Sequence, residues 1–360
     1  MTLTGRETAR PGEKNEMNCP VFWKTSNEDV KQLYEGARRA EKSILTYSAG
    51  GRPVYLFAYG RSNEHEPKKA NWSSALGSKD PTCYSDPATK TPTLVLIGAE
   101  HGQETEGTAA LLNLVSLLET GKDLGGIAND ALSDLCENIR LVIVPIANPD
   151  GRSRVKPAAI LGLKQYDLRY WGQGTWKDGS LCGWPECKKI HPILDAVDFL
   201  GGYYNDDGIN LMHDDFFDPK AKETKALLDL CERECADIVI HLHGGGDSKG
   251  NLMQTSYMSE PAKAIVEKLA GCCYERGKAE DLEFVGPHAC SLDDGPVPGA
   301  FNLASATHHK CGAVSFVYES NECIVDEPGP KLSHEQVTRM HMIVFEETLK
   351  VLHKREYRYI

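Results

Sequence analysis

Apolar positions in this chain recur in two alternating patterns, one typical of strands and one typical of helices. Short apolar runs predict buried strands over Val54–Ala58, Thr93–Ile97, Arg140–Ile146, Ile238–His241 and Ala313–Tyr318. Segments with a helical period predict helices over Glu28–Leu45, Gly107–Glu119, Lys220–Glu234, Ala262–Ala270 and Ser333–Leu352. This alternation predicts an α/β fold, a single domain over residues 20–355 with a mixed, mostly parallel twisted sheet and helices on both faces.

The segments between these elements differ in character. Residues 1–19 are polar and are expected to form a disordered lead-in. Arg61–Thr91 is polar and rich in turn residues, which indicates a surface insertion held down by Trp72 and Tyr84. Arg152–Asn205 is long, aromatic and rich in glycine, and long loops of this kind usually line or cover binding sites.

Composition limits the kinds of binding partner and the cellular location that we expect for this protein. The 360 residues carry a net charge of −12, which argues against nucleic acid or an anionic membrane as the main partner. No run approaches the ~18 apolar residues of a membrane span, and the first residues lack the apolar core of a signal peptide. The 12 cysteines lack paired framework spacing, so we expect reduced thiols and a cytoplasmic protein.

The most informative motif is a His-x-x-Glu turn directly after a predicted strand. His101 and Glu104 follow the apolar run Thr93–Ile97, and a helical segment begins at Gly107. An imidazole and a carboxylate that leave the end of a strand together can bind one Zn²⁺. Because a catalytic zinc site needs a third protein ligand, this motif alone does not establish a site.

A third ligand is available at the end of a second predicted strand, where His241 and His243 stand two residues apart. Residues at this spacing on a strand point to the same face. His243 directly precedes three glycines, which let the backbone lie close to a ligand. His241 lies deeper in the strand, where a buried, hydrogen-bonded histidine is the commoner outcome. We therefore prefer His243.

Two other clusters match metal-binding patterns less well. A second His-x-x-Glu, His353 with Glu356, lies in a charged C-terminal helix without a preceding strand, which predicts a solvated face. Cys182, Cys187 and His191 lack an evident fourth ligand and do not have the spacing of a zinc knuckle. We interpret this second cluster as part of a loop.

Several motifs follow one another in an order that resembles the zinc carboxypeptidases, the funnelin family. The series is Gly51-Arg52-Pro53-Val54, the His-x-x-Glu turn, Asn148-Pro149-Asp150-Gly151, the His-Leu-His-Gly strand end and Val317–Asn321. Each motif is weak alone, but their order and intervals over most of the chain are specific. The resemblance implies the fold of that family, one Zn²⁺ per chain and hydrolysis of amide bonds.

The resemblance also implies roles for single residues. His101, Glu104 and His243 stand where the family has its three zinc ligands, and zinc in such a site lowers the pKa of a bound water toward ~7. Glu319, at the end of the late predicted strand, stands where the family has its general base. In that role the carboxylate takes a proton from water and passes it to the leaving nitrogen.

The chain departs from the family where the substrate's terminal carboxylate is bound. Relatives carry Asp-x-Asn-Arg, but here Asn210 replaces the Asp, and Met212 and His213 replace the Asn-Arg pair. Asn210 can still accept the imidazole N–H of the first zinc ligand, without a charge. Bidentate capture of a carboxylate is lost. A protonated His213 could replace it only weakly.

The missing positive charge is therefore expected from the segment Arg152–Asn205. In the family, an arginine of the corresponding long loop meets the oxyanion of the transition state. We expect Arg169, beside Tyr170 and Trp171, to take this role, with Arg154 and Arg152 as further candidates.

These observations predict a zinc-dependent metallopeptidase that hydrolyses peptide or other amide bonds in the manner of a carboxypeptidase. An N-acyl amino acid deacylase or amidase on the same fold is the first alternative. A non-catalytic zinc-binding relative is the second, suggested by the departures at Asn210, Met212 and His213. The expected partner is accordingly a peptide or an N-acyl amino acid, and the sequence does not determine the oligomeric state.

Overall fold

The computed structural model describes residues 19–64, 68–245, 249–287, 300–327 and 331–356. The strands are β1 Glu41–Tyr47, β2 Pro53–Tyr59, β3 Thr93–Gly98, β4 Arg140–Val144, β5 Gly174–Trp176, β6 Val197–Leu200, β7 Ile238–Gly245, β8 Asn251–Gln254 and β9 Val314–Asn321. The helices are α1 Asn27–Gly36, α2 Trp72–Gly77, α3 Glu106–Thr120, α4 Asp130–Leu135, α5 Pro149–Arg154, α6 Gln165–Gly172, α7 Lys222–Arg233, α8 Glu260–Ala279, α9 Leu303–Cys311 and α10 His334–His353. Apart from its last residue, the predicted lead-in at residues 1–19 lies outside the described residues.

Seven of these strands form one mixed sheet in the order β1-β2-β4-β3-β7-β9-β8. The central strands β4, β3, β7 and β9 run parallel to one another. At the two edges, β1, β2 and β8 pair antiparallel. The structure confirms the predicted α/β fold and its mixed sheet, with the parallel pairs at the centre.

Helices cover both faces of the sheet, and β3 shows why its sequence is apolar throughout. Leu94 and Leu96 belong to the apolar cluster that also contains residues of α3, α8 and α10. Val95 and Ile97 belong to the cluster on the other face, with residues of α7 and α9. A strand buried on both faces has no solvent side, so apolar residues do not alternate with polar ones.

The closing helix begins as its sequence predicts. Ser333 Oγ accepts a hydrogen bond from the backbone N–H of Gln336 at 3.2 Å, and Gln336 Oε1 accepts one from the backbone N–H of Ser333 at 2.9 Å. This reciprocal capping box fixes the first turn of α10. Among the described residues, no helix combines the length and the apolar character that crossing a membrane would require.

The prediction of one helix over Glu28–Leu45 is wrong in its second half. Helix α1 ends at Gly36, and β1 begins at Glu41 and pairs antiparallel with β2. The partner strand supplies the backbone hydrogen bonds of this segment, so pairing across the sheet overrides the helical period.

The segment Arg152–Asn205 is more ordered than a loop. It contains the end of α5, all of α6, the small antiparallel pair β5 and β6, and two short 3₁₀ turns. The Arg61–Thr91 insertion also has structure of its own, since Trp72 and Tyr84 are buried against each other with ring centroids 5.6 Å apart, as expected.

Candidate metal centre

The candidate site lies at the carboxyl ends of three adjacent parallel strands. Strand β3 ends at Gly98, directly before the His-x-x-Glu turn, while β7 carries His243 and β9 carries Glu319. In the register of these last two strands, His243 is opposite Glu319. Parallel strands end on one edge of the sheet, and ligands of open α/β sheets usually bind there.

Two imidazoles converge on one carboxylate at this edge. His101 Nδ1 lies 2.7 Å from Glu104 Oε1, and His243 Nδ1 lies 2.8 Å from Glu104 Oε2. All three side chains are buried, and their potential ligand atoms lie within 4.8 Å of one another. Two histidines and one glutamate form a donor set that binds catalytic Zn²⁺ and leaves a position open for water.

The outer nitrogen of each ring has its own partner. His101 Nε2 lies 3.2 Å from Asn210 Oδ1, and His243 Nε2 lies 3.1 Å from Glu100 Oε2. Because these oxygens accept hydrogen bonds, each ring donates from Nε2 and presents Nδ1 to the centre. The residues therefore fit a zinc ion held by Nδ1, Nδ1 and a carboxylate. Asn210 thus lies behind His101 as the acceptor of its imidazole N–H, the role that the sequence left open to it.

His241 has the structural role that its depth in the strand suggests. It is fully buried, with Nδ1 2.5 Å from Glu100 Oε1 and Nε2 3.2 Å from Ser315 Oγ. Glu100 thus contacts both histidines of β7. Burial raises the pKa of Glu100, but His241 and His243 lower it more, so that the pKa lies well below its usual value.

A glycine lets the His-x-x-Glu turn pack on the neighbouring turn. A Cβ on Gly102 would lie 2.1 Å from the backbone nitrogen of Arg152 and 2.2 Å from the carbonyl carbon of Gly151. Asn148 fixes the second turn by accepting from the N–H of Gly151 at 2.8 Å and donating to the carbonyl of Glu100 at 3.2 Å. The Asn-Pro-Asp-Gly motif thereby supports the ligand turn from below.

Glu319 has the electrostatics of a group that exchanges protons near neutral pH. Its side chain is half-buried at the end of β9. Burial and the nearby charge of Glu104 raise its pKa to about 7, while His243 and Lys188 oppose this rise. A carboxyl group with a pKa near the working pH can both accept and release a proton.

Two further carboxyl groups lie next to the ligand strand. Glu106 and Glu322 are fully buried, and both lie near the position that a Cβ on Gly244 would occupy. Burial raises the pKa of Glu106 to about 8 and the pKa of Glu322 well above its usual value. Burial therefore favours the neutral form of both groups, and neither was singled out by the sequence.

His213 does not supply a positive charge, contrary to one sequence-based expectation. It is half-buried in the 3₁₀ turn that follows Asn210. Burial, followed by the charge of Lys188, lowers its pKa to about 3. A neutral imidazole cannot form an ion pair with a carboxylate.

The structure does not bring the predicted arginines to the centre. Arg169 is exposed in the last turn of α6. The guanidinium of Arg154 forms an ion pair with Asp206 and donates to backbone carbonyls, including that of Leu200 at 3.0 Å. Arg152 is buried and donates to the carbonyls of Thr25, Gly102 and Pro157. Their guanidinium groups thus hold loops together or face solvent.

Other residues of the same segment do line the site. The ring of Tyr203 stacks on His101, with centroids 4.0 Å apart and planes inclined by 26°. Its hydroxyl accepts a hydrogen bond from the Gln173 side chain. The segment Arg152–Asn205 therefore does form one side of the site, but nothing in the sequence distinguished these two residues from its other polar and aromatic ones.

No other group of three or more His, Cys, Asp or Glu side chains converges in this way within the part of the chain that the structure describes. Cys182 and Cys187 are buried in an apolar cluster, and His191 Nε2 accepts from the backbone N–H of Asn210 at 3.0 Å. The other His-x-x-Glu motif is at the surface, where His353 contacts the carbonyl of Leu135. These clusters are structural, as interpreted from the sequence.

Comparison with known proteins agrees with this geometry. The sequence profile of the zinc carboxypeptidase family matches residues 31–261. A metallo-carboxypeptidase from Burkholderia cenocepacia shares the fold with a TM-score of 0.54 at 15% identity, over 91% of this chain and 69% of its own. Carboxypeptidase A from Helicoverpa armigera gives a TM-score of 0.53 at 15% identity, over 95% and 77% of the two chains. A search of curated protein sequences gave no match.

Proposed function

The chain belongs to the zinc carboxypeptidase family, and on that premise we propose that it hydrolyses amide bonds with one Zn²⁺ held by His101, Glu104 and His243. The observation that carries the proposal is the convergence of the two Nδ1 atoms on one carboxylate. When bound there, Zn²⁺ supplies a water of lowered pKa and polarises the substrate carbonyl.

Glu319 is the general base in this proposal. It lies beside His243 across the strand pair, so its carboxylate reaches the edge where water and substrate meet. Glu319 accepts a proton from the attacking water and delivers it to the nitrogen that leaves. Its pKa of about 7 suits both steps.

Neighbouring side chains keep this arrangement in place. Gln103 is buried and donates to Glu104 Oε1 at 3.1 Å, which orients the carboxylate between the two imidazoles. Tyr203 covers one face of His101. Supported ligands keep a fixed geometry, which strengthens metal binding.

A peptide with a free C-terminus is the proposed substrate, and an N-acyl amino acid is the second candidate. Replacement of the family's Asn-Arg pair by Met212 and His213 is the observation behind the second candidate, because peptide cleavage in the family relies on that pair. A non-catalytic role is disfavoured because Glu319 is retained beside the three ligands. A cytoplasmic location completes the proposal and rests on cysteine usage.

The decisive experiment measures metal content and amide hydrolysis on the same sample. Purified protein is analysed for zinc by mass spectrometry and assayed for amine release from a panel of peptides and N-acyl amino acids. We expect one zinc per chain and an activity that a chelator abolishes and added zinc restores. Stoichiometric zinc without release of amine from any member of the panel would support the non-catalytic alternative.

A further inference from the structure

We propose that Lys188 binds the carboxylate of the substrate in this site. The inference rests on the proposed function and adds the group that selects the substrate. The residues at the family's carboxylate-binding position cannot do so, because Met212 is apolar and buried and His213 is neutral.

The turn that carries Lys188 is joined to the metal centre by two hydrogen bonds. Lys188 lies in the 3₁₀ turn Glu186–Lys189. Three residues later, His191 accepts from the backbone N–H of Asn210, whose side chain in turn contacts His101. Cys187, directly before Lys188, is buried in an apolar cluster and anchors the turn. The position of Lys188 relative to the ligands is therefore set by packing.

The ammonium group of Lys188 lies over an exposed aromatic ring. Its Nζ is 4.7 Å from the centroid of Trp184, which is 57% exposed. In the described part of the chain it forms no ion pair, whereas the neighbouring Lys189 lies 3.9 Å from a carboxylate oxygen of Glu186. Its positive charge also lowers the pKa of His213 and opposes the rise in the pKa of Glu319. Lys188 is thus an exposed cation whose charge acts on groups of the site.

Other cations near the site are already engaged. Arg52 bridges Asp150 and Asp206, with N–O distances of 2.7 Å to each. Arg154 also pairs with Asp206, and Arg152 is buried among backbone carbonyls. A substrate carboxylate could bind one of these arginines only if an existing contact of that arginine were broken. Binding to Lys188 breaks no ion pair within the described residues.

The chemistry of lysine defines the ligand class. An ammonium is a compact point charge with three donors, and it lacks the fork of an arginine that grips both oxygens of a carboxylate. Lys188 therefore selects amides with a carboxylate close to the scissile bond, with less geometric restriction than an Asn-Arg pair. Peptides with a free C-terminus and N-acyl amino acids both meet this condition, while C-terminally amidated peptides do not.

The test uses zinc-loaded, full-length protein and matched substrates. An N-acyl dipeptide, its C-terminal carboxamide and an N-acyl amino acid are assayed with the wild type, Lys188→Met, Lys188→Arg and the control Lys189→Met. We expect Lys188→Met to raise KM about fivefold for the carboxylate substrates, as suits an exposed charge pair. KM for the carboxamide should not change. Lys188→Arg should restore most of the binding, and Lys189→Met should behave as the wild type. Comparison of kcat/KM for the N-acyl dipeptide and for the N-acyl amino acid shows which of these two carboxylate substrates the enzyme prefers.

A binding measurement separates this inference from the proposed function. Calorimetric titration with 3-phenylpropanoate should show weaker binding in Lys188→Met than in Lys189→Met, and added salt should weaken binding more in the wild type than in Lys188→Met. If no amide is hydrolysed but this difference appears, the proposed function fails and the carboxylate site stands. Equal affinity in both variants, together with equal turnover of acid and amide, overturns the role of Lys188 alone.

Discussion

His243 and Glu319 lie directly opposite each other on the parallel strands β7 and β9. A proposed metal ligand and the proposed general base thus lie on two hydrogen-bonded strands in the centre of the sheet. Buried central strands are among the most rigid parts of a domain. The separation of ligand and base is therefore fixed by strand register, and each residue can be replaced while the other stays in place.

Removal of the His243 imidazole should release the metal. We expect His243→Ala to lower zinc content sharply, because two ligands bind Zn²⁺ far more weakly than three. The matched control is His353→Ala, which alters the histidine of the exposed second motif and should leave zinc content unchanged. Zinc analysis after dialysis compares the two. Full retention of zinc in His243→Ala would exclude this residue as a ligand.

Replacement of the Glu319 carboxylate should stop catalysis without loss of the metal. Glu319→Gln keeps the shape of the side chain but cannot accept a proton, so kcat should fall by roughly 10²–10⁴. Zinc content should stay at the wild-type value, which distinguishes loss of the base from damage to the ligands. A variant that keeps the wild-type kcat removes Glu319 from the mechanism.

Ordinary peptides with a free C-terminus should be cleaved poorly. Loss of a bidentate arginine contact is expected to reduce substrate binding by a factor of roughly 10². The double variant Met212→Asn with His213→Arg restores the family's pair and should raise kcat/KM on such peptides. If the wild type already cleaves them at ~10⁵ M⁻¹s⁻¹, within the usual range of enzymes, the pair is dispensable in this chain.

The contact between the two turns below the site can be tested through stability. Gly102→Ala places a methyl group against the backbone of Gly151 and Arg152, so we expect a loss of several kcal/mol, about 3 or more, in urea denaturation. The control is Gly36→Ala, at a position with open space around a Cβ, which should change stability by about 1 kcal/mol at most. Equal stability of the two variants would show that the turns do not need this close approach.

Sequence alone determined the features that depend on local period and on short-range spacing. The apolar run of β3, the capping box at Ser333 and the pairing of His101 with Glu104 all involve residues within a few positions of one another. Their geometry follows from strand and helix periods, which are properties of the local sequence and do not depend on distant parts of the chain. The preference for His243 over His241 also followed from depth along one strand.

Tertiary structure decided what depends on partners distant in the chain. Strand β1 replaced a predicted helix because β2 was available to pair with it. Arg154 is engaged because Asp206 lies beside it, and His213 is neutral because other elements bury it. Charge and hydrogen bonding at a site depend on which groups surround it in space, and the local sequence pattern does not encode those neighbours. Lys188 became a candidate for this reason, since only the folded chain shows that its turn is connected through His191 and Asn210 to His101.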